Sequence, residues 1–193
     1  MPFQRPPRPS SVLAGVLAAA GLVLTVAGCS HIAPLGPDSA ATMPPQRHLG
    51  SPMIVQVMRS RPPGPGLGCP AGWVTVSLPP GASTMPCYRP AGKPVTITAA
   101  AITPVSAYQP APGQPKAPTS YGFRVAVPPA DVAAVTAVIR QAYDSRGAVG
   151  ISVAGTLWQA PQVREPFPGQ QFQIALLSRK QALQLYRILT SSG

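Results

Sequence analysis

The run YGFRVAVPPADVAAVTAVIRQAYDSRGAVGISVAGTLWQ, residues 121–159, decides the fold. Residues 121–127 alternate aromatic or branched side chains with small or charged ones, the period-two pattern of a half-buried strand. Pro128 and Pro129 then stand where a helix opens, because the N–H groups of a first turn have no intrahelical acceptor to lose. Behind them Val132, Val135, Val138, Ile139 and Ala142 make one apolar stripe at helical spacing, and Gly147 is read as its stop. Residues 149–153 read as a strand, Ala154-Gly155 as a turn, and 156–158 as the return strand of a hairpin.

Downstream, 172–176 is a further strand, and Ser178 is a good N-cap for a last helix with Ala182, Leu185, Tyr186 and Leu189 on one face. Upstream, 53–58, 73–78 and 93–99 carry β-branched or alternating patterns, and 59–68 is rich in Pro and Gly. Residues 108–119 hold four prolines and read as an exposed loop. A hairpin between helices makes the sheet antiparallel. The expected class is therefore α+β: an antiparallel sheet with two helices packed on one face, preceded by a disordered Pro-rich tether.

The start of the chain is an address. Arg5 and Arg8 precede an uncharged run, 12–27, that ends in Val26-Ala27-Gly28-Cys29. A charged start, an apolar core and small residues at a cut are the anatomy of a secretory signal. The run resembles a bacterial lipoprotein signal peptide, which implies cleavage after Gly28 and a diacylglyceryl group on the Cys29 thiol. An uncleaved anchor is the alternative, and 16 residues is short against the roughly 20 that span a bilayer. The expected organisation is signal peptide 1–28, tether 29–52, a β-rich part 53–107, a Pro-rich loop 108–119 and an α+β part 120–193. The product is then a protein of the extracytoplasmic face of the cell membrane, held by its lipid.

Cys69 and Cys87 remain. In an exported chain two thiols are read as a disulfide, with a pair of free buried thiols as the alternative. Two cysteines with no histidine nearby do not fill a tetrahedral metal site.

The composition is 28 Pro, 18 Gly, 15 Lys+Arg and four acids in 193 residues. With 45% hydrophobic and only 10% charged residues, it is neither a solvated polyelectrolyte nor a polytopic membrane protein. Of the acids, Asp38 lies in the tether, while Asp131 and Asp144 sit at opposite ends of one helix, about 20 Å apart by helical rise. Asp131 is explained by the helix dipole. His31 and His48 both fall in the Pro-rich lead. No nucleophile elbow, phosphate loop or metal cluster occurs, so the chain reads as a non-enzyme with no cofactor and no small-molecule substrate. The basic residues are scattered, Arg179-Lys180 being the one dense spot, and that spacing points away from nucleic acid.

Residues 146–189 carry a resemblance. It rests on Ala160-Pro161, Arg164-Glu165-Pro166, Gly169 and Gln173-Ile174, followed by the 178–189 helix with Gln181-Ala-Leu. This stretch resembles the head subdomain in the first large extracytoplasmic region of SecD, a subunit of the SecDF protein-export motor. The strand and helix at 123–143 fit the same subdomain. The resemblance implies contact with emerging polypeptide or with the Sec translocase, with Trp158, Phe167 and Phe172 as apolar anchors. For Trp158 and Phe172 a plain core position is the favoured alternative. Ala154-Gly155 replaces the family's Asp-Gly turn, and the intramembrane charges of the motor have no counterpart, so this chain is not itself a motor. The alternative function is a basic envelope protein that docks on anionic lipid or cell-wall polymer.

Overall fold

A computed structural model of the chain describes residues 43–64, 68–76, 86–107 and 120–191. The stretch read as a signal peptide, Cys29 and the stretch 108–119 read as a Pro-rich loop lie outside the described residues. The elements in order are β1 (Arg47–Arg61), β2 (Cys87–Pro90), β3 (Val95–Ile102), β4 (Ser106–Ala107), β5 (Tyr121–Ala126), α1 (Pro129–Asp144), β6 (Ala148–Val153), β7 (Thr156–Gln159), β8 (Gln171–Leu177) and α2 (Arg179–Thr190). All strand pairings are antiparallel, and the class is α+β. The strands follow one another as β8-β5-β3-β1-β6-β7, with β4 continuing β3 beside β5 and β2 lying against the far half of β1.

Both helices cover one face. Met53, Val55 and Val57 of β1, Ile97 of β3, Phe123 and Val125 of β5 and Ile151 of β6 share a core with Val135, Val138, Ile139 and Ala142 of α1. Ala182, Leu185 and Leu189 of α2 belong to the same core. The opposite face carries a smaller cluster of Met58, Val76, Tyr88, Ala148, Leu157 and Ala160.

The last helix starts as its sequence dictates: the Ser178 hydroxyl accepts from the Gln181 N–H, and the Gln181 side chain accepts from the Ser178 N–H. This reciprocal pairing satisfies two N–H groups that the helix leaves open. The first helix ends differently from expectation. Gly147 N–H bonds to the Ala142 carbonyl and Arg146 N–H to that of Tyr143, a Schellman closure in which Arg146, not glycine, takes the left-handed position at φ 52°.

The tether reading is corrected at its end. Residues 47–52 belong to β1, and the strand continues past Met58 to Arg61 into the stretch read as Pro/Gly-rich. Between His48 and Met53 the pairing with β3 slips: five steps on β1 are matched by two on β3, from Ala99 to Ile97. That bulge holds Pro52, which cannot donate to a ladder, and it erases the alternation by which a strand is recognised. It also brings Gly50 under the end of α2, where a Cβ would meet the backbone carbonyls of Ile188 (2.9 Å) and Ser191. Residues 73–78 are corrected too: among the described residues only Val74 bridges to Tyr88 there.

The hairpin turn falls where expected, with Ala154 at φ 49° and Gly155 at φ 75°. Two residues at positive φ make the turn that matches strand twist, and Asn or Asp is favoured at the first position. Alanine has a Cβ to fit and no side-chain hydrogen bond to offer. Ala154→Asn is therefore expected to stabilise the fold by about 1 kcal/mol, read as a shift of the urea midpoint. A loss of stability would show that the turn is not of this type.

Candidate functional site

The three expected anchors are in the core. Trp158 on β7 is 4% exposed, Phe167 in the loop before β8 is 8%, and Phe172 on β8 is 3%. Phe167 and Phe172 face Val135 and Ile139 of α1 across a narrow gap. The loop around Phe167 is pinned to that helix, since the Gly169 N–H donates to Thr136 Oγ1 at 2.9 Å. Side chains enclosed this way hold the helix to the sheet and are not presented to a polypeptide. The reading of these three as surface anchors is corrected accordingly.

His48 lies on β1, exposed and paired in register with Ala99, and not in the lead. Among the described residues no three His, Cys, Asp or Glu come together as a metal site. Also among them, no helix is long and apolar enough to cross a membrane. An open depression of about 560 Å³ lies at the end of α1, lined by Tyr143, Asp144, Arg146, Gly147, Gln162, Val163 and Arg164. It offers one carboxylate between two guanidiniums, and its lining has no Cys, Ser, Thr or His to serve as a nucleophile–base pair.

A different group of residues is assembled at the far end of β1. There β1, β2 and the 73–76 segment form a small ribbon beyond the helices. Arg59 lies directly opposite Arg89, and Arg61 opposite Cys87. Val74 exchanges backbone hydrogen bonds with Tyr88 (2.8 and 2.7 Å), so Trp73 comes alongside Arg89. The Arg61 and Arg89 guanidiniums lie over the Trp73 ring, 5.4 and 5.1 Å from its centroid. All three arginines are exposed, Trp73 is half-buried, and Val74 is 47% exposed. The Cys69–Cys87 disulfide ties the segment to β2.

The electrostatics are one-sided. The chain has no Asp or Glu between Asp38 and Asp131, so no carboxylate of the ribbon's own stretch offsets its charge. The three described acids belong to other segments: Asp131 to the first turn of α1, Asp144 to its last residue, and Glu165 to the loop before β8. Cation–π attraction to the indole holds two guanidiniums in place without neutralising them. Scattered in sequence, the arginines are gathered by strand register. The signal legible beforehand was the long acid-free stretch; the placing of Trp73 depends on a pairing between segments far apart in the chain.

Compared with known family models, curated proteins and solved structures, the chain matches none.

Proposed function

We propose that this chain is a lipid-anchored, non-catalytic binding module of the extracytoplasmic face of the cell membrane, whose cationic α+β head docks on an anionic surface of the envelope. Cys29 carries the acyl group, and the residues before Arg47 connect it to β1. The observation that carries the reading is the charge distribution. The described residues include 12 Lys or Arg against three acids, and the exposed cluster at the end of β1 lies in a stretch with no acid at all. Charges so arranged attract anionic headgroups or polymers through their summed field.

The export-linked reading, a SecD head-like domain that holds emerging polypeptide, is supported by the resemblance and by the order β5, α1, β6, β7, β8, α2 that the resemblance implies. Its three apolar anchors are buried and are not presented to a polypeptide, so this reading ranks second.

Two measurements test the proposal. A labelled fatty acid fed to cells is expected to enter the wild-type chain and not Cys29→Ala. The chain from Ser30 onward is expected to sediment with isolated envelopes at about 50 mM salt and to leave them by about 200 mM, as screening shortens the reach of its charges. Label on the variant would remove the anchor, and sedimentation indifferent to salt would remove the docking.

A further inference from the structure

We propose that the Trp73 ribbon is a binding site for anionic phospholipid, and that it seats the head on the same bilayer that holds the acylated Cys29. This rests on the lipid-anchored reading above and names the part of the head that touches the membrane.

The ribbon contains a local electrostatic conflict. Arg59 and Arg89 are directly opposed on antiparallel strands, where side chains stand roughly 5 Å apart at Cβ and like charges destabilise the pair. Arg61 adds a third guanidinium over the same indole that Arg89 covers. Nothing in the fold requires this concentration. The ribbon lies outside the helix-covered core, and uncharged residues would satisfy its backbone pairing equally well. A local arrangement that opposes stability marks a place where a partner supplies what is missing, and here the missing component is negative charge.

The chemistry of the neighbours selects the partner. Guanidiniums bind phosphate through paired N–H donors. An indole with a wet edge and an apolar body sits at the headgroup level of a bilayer. Trp73, half-buried under two guanidiniums, supplies that apolar edge, and the next residue, Val74, is 47% exposed. The lengths agree. The ribbon is 14 residues along β1 from Arg47, or about 46 Å at strand rise. The 18 residues from Cys29 to Arg47 can span up to about 60 Å. The acylated end and the ribbon can therefore reach one membrane together, with the sheet lying along it.

The experiment uses the chain from residue 29 onward carrying Cys29→Ser, so that no acyl group contributes, floated with vesicles of zwitterionic lipid containing about one-third phosphatidylglycerol. Wild type is expected to bind these vesicles, to ignore purely zwitterionic ones, and to show a blue shift of the emission that Trp73→Phe removes. The triple variant Arg59→Gln, Arg61→Gln, Arg89→Gln is expected to bind about 100-fold more weakly. A control triple, Arg179→Gln, Lys180→Gln, Arg187→Gln, removes equal charge from the exposed surface of α2, whose last turn meets the Gly50 end of β1, and is expected to change binding by less than about threefold because these charges belong to a different part of the surface. Equal losses in both triples would overturn the site while leaving electrostatic docking intact. No binding of wild type to anionic vesicles would overturn both. Binding to a soluble phosphodiester polymer in place of vesicles would overturn the bilayer as the partner. Far-ultraviolet spectra of the triples report that the fold is kept.

Discussion

Replacing Phe123 by alanine is expected to remove about 3–5 kcal/mol of stability, a large share of a total that is only about 5–15 kcal/mol for a domain. Phe123 is 1% exposed on β5, between β3 and β8, and faces α2. Its ring meets that of Tyr186 edge-on, with centroids 5.9 Å apart and planes at 69°. Truncation removes the largest apolar surface at the contact between sheet and helix, and the surrounding backbone cannot collapse into the space: β5 is bonded on both edges. The control is Tyr186→Phe. The Tyr186 hydroxyl accepts from the exposed Arg47 guanidinium at 3.5 Å, a long contact in water, so its loss is expected to change stability by less than about 0.5 kcal/mol. Urea titration followed by far-ultraviolet dichroism reads both. A cost below about 1 kcal/mol for Phe123→Ala would mean that α2 does not pack on β5 as described.

The elements with strong periods were legible in the sequence. The α1 stripe, the hairpin, β8 and the capped α2 stand where composition and spacing place them, because each is specified by neighbours within a few residues. What escaped was set by partners distant in the chain. The 47–52 stretch looks like linker because Gly50 and Pro52 interrupt its alternation, and only the bulge against β3 makes it strand. The helix stop at Gly147 was displaced by one residue, since Arg146 takes the left-handed position that glycine usually holds. For the site, the aromatic residues misled. Period-two spacing says that Trp158 and Phe172 alternate with their neighbours, and does not say which face the helices cover. Trp73 had the same ambiguity with the opposite outcome. It lies on a segment joined to the sheet by one bridge and one disulfide, beside arginines that come from residues 61 and 89.

That disulfide carries the second large expectation. In an oxidising compartment the bond persists, and the double variant Cys69→Ala, Cys87→Ala shows what it holds. Closing a loop of this length contributes about 3 kcal/mol on the chain-entropy account. The bond does not cross the helix-covered core. Apart from it, the 68–76 segment meets β2 through the two Val74–Tyr88 hydrogen bonds, the Arg89 guanidinium over Trp73 and the burial of Val76. Two such bonds are worth roughly 1 kcal/mol each, about the cost of ordering two residues of backbone. The expected result is therefore local: the segment detaches while the sheet stays folded. Hydrogen exchange distinguishes this from general weakening. The Val74 and Tyr88 amides should exchange about 100-fold faster in the variant, which is 3 kcal/mol at roughly tenfold per 1.4 kcal/mol, while amides of β5 and β6 change by less than about threefold. Trp73 should lose the two guanidiniums over its ring, and its emission should move to the red. Unchanged exchange at Val74 and Tyr88 would mean that the ribbon is held by packing alone. Equal acceleration throughout would mean that it unfolds with the core. Local detachment would make the covalent bond the device that keeps Trp73 beside Arg61 and Arg89, so the shape of the chain's cationic end would depend on the oxidation state of these two cysteines.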